Sequence, residues 1–439
     1  MSAAPAPTRR LPLVLRNPSF GRVWAGQLLT QAASRMFQVG VVWWLVGFAG
    51  GAHRGLASGL FLAVSTLPAV ALAPVVARVV ARYAHRTVLA GTAAVAGAVA
   101  ATAAGAAYAG ALPVAAAYAV GFVLAACQAV FDPCLTTSVP ELVEDADIES
   151  ATGFELSTQS VAGLCGGLLG PLVVDAGALG GVVAVSAGAY LLAALLVFSA
   201  RFPGPTTAAG ATDGTTQDQA PIPAPAPTPR TLRQVLAGLP FIRRVLVCFA
   251  AANVFTTAVY VVMPLYTRQV LHADGSTVAS LEAALGAGTL VGSFTGGRLP
   301  GRPITVGSAC LAVMAAALAG PGLFAGHAAA LGSMAVAGWC VGVIGVRFVA
   351  LFQRLVPTAD KPGFFAVMQA LLGATFPVSS LVFGALGDHL TARTLCVAQG
   401  AGLVPVALAL WWLGSRADGA APRPPAAPTR PLAPAGESR

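Results

Sequence analysis

Charge is scarce in this chain: 9% of its 439 residues are Asp, Glu, Lys or Arg, against 56% hydrophobic, and the mean hydropathy is +0.78. A soluble domain of this length could not cover its surface with so few charges, so the bilayer has to be the solvent for most side chains. The marks of catalysis are missing too. There is no nucleophile motif, no Walker-type phosphate loop and no metal-ligand spacing, and the five histidines (His53, His85, His272, His327, His389) are scattered. The chain is therefore not expected to be an enzyme, to carry a cofactor or metal, or to be driven by ATP on its own. Its seven cysteines (Cys127, Cys134, Cys165, Cys248, Cys310, Cys340, Cys396) all fall inside apolar stretches and read as small, soft core residues.

What is present is a succession of long apolar runs. A hydrocarbon core of ~30 Å needs about 20 helical residues. Twelve stretches qualify, roughly Gly21–Phe48, Leu56–Val80, Thr87–Tyr108, Leu112–Leu135, Ser150–Ala176, Leu179–Phe198, Phe241–Tyr266, Thr277–Gly297, Ile304–Phe324, Ala328–Phe352, Gly363–Gly387 and Ala392–Leu413. They predict an all-α membrane protein, because a barrel would show alternation and an open sheet would leave peptide groups unpaired in lipid. The first span follows a polar, Arg-bearing tail without a cleavage pattern and reads as a retained helix.

Residues 201–233 are rich in Pro, Ala and Thr, and their PAPAP run favours extended polyproline conformations that build no core. The expected organisation is a tail (1–20), a six-helix bundle (21–200), this linker, a second six-helix bundle (234–416) and a low-complexity tail (417–439). With both tails and the linker on the cytoplasmic side, twenty of the 25 Lys+Arg lie inside, and only Arg54, Arg268 and Arg393 lie outside. That bias predicts a multi-pass protein of the plasma or inner membrane. The net charge of +9 then serves anionic lipid and is no sign of nucleic acid.

Polar residues in hydrocarbon are costly, so their placement carries the functional signal. In the first span Gln27, Thr30, Gln31, Ser34, Arg35 and Gln38 fall within ~140° of arc at ~100° per residue. The seventh span repeats the arrangement with Asn253, Thr256, Thr257 and Tyr260. Both faces are expected to wall a shared cavity, with interhelical hydrogen bonding as the other reading. Arg35 lies ~21 Å from the inner boundary, too deep to snorkel, and should meet water, an acid or an anionic substrate group. Arg347, in the tenth span about seven residues from Arg354, is a second basic candidate for the cavity, with snorkelling to the inner interface as the other reading.

Four carboxylates lie in or near spans. Asp132 is expected to pair with Arg82 or Arg78 as a cytoplasmic gate, with Arg86 nearby, and Asp175 to be solvated. Glu282 sits inside the eighth span, where burial favours its neutral form unless a cation compensates; it reads either as the leading proton carrier, with Glu155 in reserve, or as a buried, hydrogen-bonded structural group. Gly166 and Gly170, and Gly288, Gly292 and Gly296, recur every fourth residue and allow close backbone approach.

Several short segments resemble one family. Asn17-Pro18-Ser19-Phe20-Gly21-Arg22-Val23-Trp24-Ala25-Gly26-Gln27 resembles the lead-in to the first helix of the major facilitator superfamily. The nearest likeness is to its drug and siderophore efflux branch, which includes macrolide and enterobactin exporters. Phe131-Asp132-Pro133-Cys134 with Val139-Pro140-Glu141-Leu142-Val143 looks like that branch's fourth-helix exit. Phe352-Gln353-Arg354-Leu355-Val356-Pro357 is similar to its tenth-helix exit, and Gly166 to Pro171 resembles the fifth-helix motif of antiporters. The chain departs from the family at Ala81, where the loop joining helices two and three usually has an aspartate that latches the bundles, and at Val174-Asp175, where a glycine pair is usual.

The resemblance implies two rocking bundles around a midplane site, pivoting on the glycine surfaces. It implies a functional monomer that exchanges protons for an amphipathic small molecule, a drug, antibiotic or siderophore-like compound, and exports it. An importer or facilitator of an organic anion, and a non-transporting membrane sensor of the same fold, are the competing readings.

Overall fold

A peptide group in hydrocarbon has to find its hydrogen bond within its own segment, and each apolar run accordingly folds as helix. The computed structural model describes residues 13–49, 51–144, 147–202, 240–357 and 361–419, and among these there is no strand. The expected linker beyond Phe202 and the tail beyond Gly419 lie outside the described residues. A short α1 (Leu13–Arg16) leads into α2 (Pro18–Trp44), which continues as a π-turn over Leu45–Ala49. Then come α3 (Arg54–Ala71), α4 (Ala73–Arg82), α5 (His85–Tyr108), α6 (Val114–Leu142) and α7 (Ile148–Ser199). The second half holds α8 (Pro240–Thr257), α9 (Val259–Gln269), α10 (Gly275–Gly296), α11 (Pro303–Leu323), α12 (His327–Leu355), α13 (Lys361–Gly387) and α14 (Ala392–Gly419).

Eleven stretches are long and apolar enough to cross a membrane. One of them counts twice. Helix α7 has 52 residues and, if straight, would run about 78 Å, more than twice a bilayer core. It is broken at Gly177 (φ −137°, ψ 17°) and Ala178 (φ 52°, ψ −160°). Positions on both sides of the break touch the same partner: a Cβ on Gly40 would lie 3.1 Å from Val182 and 3.3 Å from the Gly170 carbonyl. The chain therefore turns back at the break, and twelve crossings result, as expected.

Local chemistry sets the other boundaries. Asn17 caps α2, its Oδ1 accepting from Ser19 N and Phe20 N at 3.1 Å, with Pro18 at the first helical position. Leu72 separates α3 from α4 where Pro74 cannot donate to the preceding turn, and Ala258 separates α8 from α9.

The helices form two bundles. In the first, α2 and α5 pack on α7, and α6 on α3 and α5; in the second, α10 and α11 pack on α12, α11 on α14 and α8 on α13. Glycines make the tightest seams. A Cβ on Gly166 would sit 2.7 Å from the Ala32 carbonyl, and one on Gly292 would sit 2.1 Å from the Trp339 carbonyl. Gly288 and Gly296 meet α12 in the same way, and Gly170 meets α2. The close approach expected of these periodic glycines, Gly166 and Gly170 (with Pro171 next on α7) and Gly288, Gly292 and Gly296, is made inside one bundle or the other.

The bundles touch along α3–α13 and α7–α10. There a Cβ on Gly59 would lie 2.0 Å from the Ser380 carbonyl and one on Gly55 would lie 2.4 Å from the Gly384 carbonyl. These contacts stand near the starts of α3 and α10, away from the basic end where Arg16, Arg82, Arg86 and Arg298 lie.

Ala178 holds a backbone conformation that favours glycine. Ala178→Gly is expected to stabilise the protein by about 1 kcal/mol, read as a higher melting temperature in detergent. A lower one would mean that the methyl group packs usefully at the turn.

Candidate functional site

Charge pairing locates the site. Arg35 of α2 faces Glu282 of α10 across the bundle boundary, with Nη2 to Oε2 at 3.6 Å and both side chains largely covered. Its guanidinium lies over the Tyr260 ring of α9, 4.6 Å from the centroid, and donates to Gln38 Oε1 at 2.8 Å. At 3.6 Å the Arg35–Glu282 contact is electrostatic without a strong hydrogen bond, so the pair can be separated. In a poorly solvated setting the attraction between the two charges is still strong. Each element has a local reason to bring its group here. A Cβ on Gly166 would lie 2.7 Å from Arg35 Cβ, so its absence lets α7 lie on α2, and a Cβ on Gly167 would lie 3.3 Å from Glu282 Oε2.

A cavity of about 300 Å³ adjoins the pair. Helix α7 contributes Gln159, Ser160, Gly163 and Leu164, and α10 contributes Leu285, Gly286, Thr289 and Leu290, besides Arg35, Tyr260 and Glu282. The wall is mostly apolar with a few hydrogen-bonding groups, a composition suited to an amphipathic small molecule. Gln159, Ser160 and Leu290, on the side toward the basic end, are exposed, whereas Leu281 beside Glu282 is buried. The cavity thus opens toward the basic end and closes below the bundle contacts.

Among the sequence-predicted residues, Arg35, Tyr260 and Glu282 come together and Gln38 supports Arg35. The others go elsewhere. Gln31 donates to Asp132 Oδ1 at 3.1 Å, and Gln27 and Thr30 are buried in helix packing. Ser34 is half-buried and is not part of the cavity wall. Asn253 ties α8 to α13 through Leu372 O (3.1 Å) and Thr375 Oγ1 (2.7 Å), while Thr256 and Thr257 bond back to their own helix. Arg347 is not in this cavity: its guanidinium donates to the Gly296 carbonyl at 2.7 Å and to the Leu299 carbonyl. There it satisfies the Gly296 carbonyl at the end of α10, where positive charge is favoured, and a carbonyl of the turn that follows. Gln159, Ser160 and Thr289 were missed: Gln159 and Ser160 stand in a run of adjacent polar residues, Ser157-Thr158-Gln159-Ser160, that marks no single helix face, and Thr289 is one hydroxyl in an apolar stretch.

A second polar cluster lies one turn from Arg35, inside the first bundle. Asp132 accepts from Gln31 and from Gln128 Nε2 at 2.7 Å, and Glu155 accepts from Thr136 Oγ1. The Oε1 atoms of Gln31 and Gln128 are buried without a partner. The expected gate between Asp132 and Arg82 or Arg78 is not formed: among the described ion pairs neither Asp132 nor Glu155 has a basic partner. The reason is which way the side chains face: Pro133 and Thr137 of α6 lie beside Ala81 and His85, but Asp132 turns into the first bundle toward Gln31 and Gln128. Arg78 and Arg82 stay exposed, and Arg86 donates to the Phe198 carbonyl. The basic end is tied within its own bundle by Arg16–Asp147 and His85–Glu141.

The profile of the Major Facilitator Superfamily matches residues 23–330. No curated protein matched the chain. Among solved structures, a bacterial homologue of the human lysosomal transporter Spinster, inward-facing and unoccupied, superposes with a TM-score of 0.70 at 12% identity. The match covers 91% of this chain and 97% of that one. An auto-inhibited POT family peptide transporter gives 0.67 at 12% identity over 94% and 99% of the two chains. The nucleoside transporter NupG gives 0.63 at 12% identity over 89% and 99%. At such identity the likeness is one of fold.

Arg347→Gln tests the assignment of that residue to the α10 terminus. It is expected to cost about 1–2 kcal/mol of stability, visible in thermal unfolding, and to leave ligand affinity unchanged. A large loss of affinity at unchanged melting temperature would return Arg347 to the cavity.

Proposed function

This chain belongs to the major facilitator superfamily, and we propose that it is a proton-coupled exporter of an amphipathic small molecule, working by alternating access from the cytoplasmic side. The observation that carries this reading is the Arg35–Glu282 pair, made between bundles and set in the wall of the cavity. If the basic end is cytoplasmic, as the positive-inside rule directs, the cavity opens inward. Export direction is supported by the efflux-type segments around Asn17–Gln27 and Phe131–Val143.

Exchange requires substrate and proton to compete for one group. Glu282 is suited to this, since it faces Arg35 across the two bundles in the cavity wall and that partner can withdraw as the bundles move. The Asp132–Glu155 cluster, two acids with only amide and hydroxyl partners described, offers a second protonation site toward the basic end. The cavity's sparse polar lining suits a drug or siderophore-like compound better than a sugar, which needs dense hydrogen-bonding partners to replace water.

Import of an organic anion is the second reading, and Arg35 is what favours it. An anion bound at Arg35 displaces Glu282, which then takes a proton, so anion and proton travel together. Adding substrate to weakly buffered protein therefore separates the two readings by sign: exchange releases protons and cotransport takes them up.

In cells, accumulation of antibiotics or siderophores on deleting the gene supports export, and depletion supports import. In vesicles, uphill transport by Glu282→Gln is expected to fall at least about tenfold and to stop responding to an imposed pH gradient. Glu155→Gln is expected to be milder. Normal gradient-driven transport by Glu282→Gln would remove that residue from coupling, and indifference of the parent protein to the gradient would remove coupling itself.

A further inference from the structure

Two carboxylates cross the bundle boundary at the closed end, and each meets the first turn of a helix in the other bundle. Asp388, just past α13, accepts from Gly55 N at 2.8 Å and Leu56 N at 3.2 Å, the opening amides of α3. Asp175 of α7 accepts from Gly275 N, the first amide of α10, at 2.5 Å. Its other oxygen accepts from Trp43 Nε1 at 2.7 Å. The ordinary capping residues of these helices, His53 and Asp274, make no side-chain cap. Glycine is needed at both amides. A Cβ on Gly55 would lie 3.0 Å from Asp388 Oδ1, and one on Gly275 would lie 2.6 Å from Asp175 Oδ2.

The two contacts are equivalent by position. Asp175 ends the fifth crossing and Asp388 the eleventh, and their targets open the eighth and the second, so each member is six crossings from its counterpart. The first turn of a helix has unpaired N–H groups and a positive dipole end, and a carboxylate satisfies both. Here the satisfaction depends on the other bundle being in place.

We propose that Asp175 and Asp388 form a two-fold latch that holds this end shut, each serving as the N-cap of a helix in the opposite bundle. The latch depends neither on the coupling ion nor on the substrate. When this end opens, both helix termini lose their caps together. A cap with only a local role would free one terminus alone.

Hydrogen exchange followed by mass spectrometry on the full chain in lipid nanodiscs reads both termini at once, in peptides covering residues 53–58 and 274–279. Asp388→Ala is expected to speed exchange about tenfold at α3 and also at the distant α10, and Asp175→Ala to do the same in reverse. Asp388→Asn and Asp175→Asn, which keep shape and an acceptor, are expected to show the same pattern more weakly, and they decide the matter should an alanine variant fail to fold. Faster exchange confined to the terminus that lost its carboxylate, or no change at either, would overturn the latch. Transport is not measured, so failure of the exporter reading leaves this result standing.

Discussion

A guanidinium in hydrocarbon has to be paired, and this chain pairs Arg35 across the boundary between its two halves. The rest of the arrangement depends on that choice. Helix α7 must lie close on α2 to bring Gly166 and Gly167 past Arg35 and Glu282, and it does so by small residues. Tyr260 covers the open face of the cation, and Pro264 one turn later withholds an amide from the Tyr260 carbonyl. An ion pair within one bundle would only stiffen it. A pair between bundles is made or broken as the halves move.

The two ends of the molecule are held by different means. At the basic end, Arg16, His85 and Arg86 are spent on contacts within the first bundle, and Ala81 stands where the family's latching acid is usual. At the opposite end, the acids Asp175 and Asp388 bond to backbone of the other bundle, around an α3–α13 approach too close for any side chain at Gly55 or Gly59. Removing an acid from one end while bonding acids across the other favours a conformation open at the basic end. The cavity's exposed residues are on that side.

Much of this was legible in the sequence, for identifiable reasons. Long apolar runs have one solution in a bilayer, so the twelve crossings followed directly, including the pair merged in α7. Arg35, Tyr260 and Glu282 stood out because polar groups in apolar helices are few. Position along a helix was harder to read, since apolarity does not say where a helix stops outside the lipid. Helix α6 continues through Thr136, Thr137 and Ser138 to Leu142, and Asp132 on it turns inward to Gln31 and Gln128 while Arg82 stays exposed. Periodicity also cannot name a partner. The four polar residues Asn253 to Tyr260 share a spacing, yet only Tyr260 reaches the cavity while Asn253 bonds to α13. Asp388 gave no signal because it lies at a helix end, where an acid ordinarily meets water.

The placement of Glu282 joins these observations. It lies on α10, the same helix whose first amide is capped by Asp175, two turns before it. Any motion that withdraws α10 from α7 to open the closed end breaks the cap and lengthens the Arg35–Glu282 contact together. Water entering from that side would then hydrate the freed amides of α10, but Glu282 lies deeper among apolar residues such as Leu281 and Leu285. Opening of the closed end and separation of the charge pair are thus linked through one rigid helix, and the proposed coupling needs no intermediary residue.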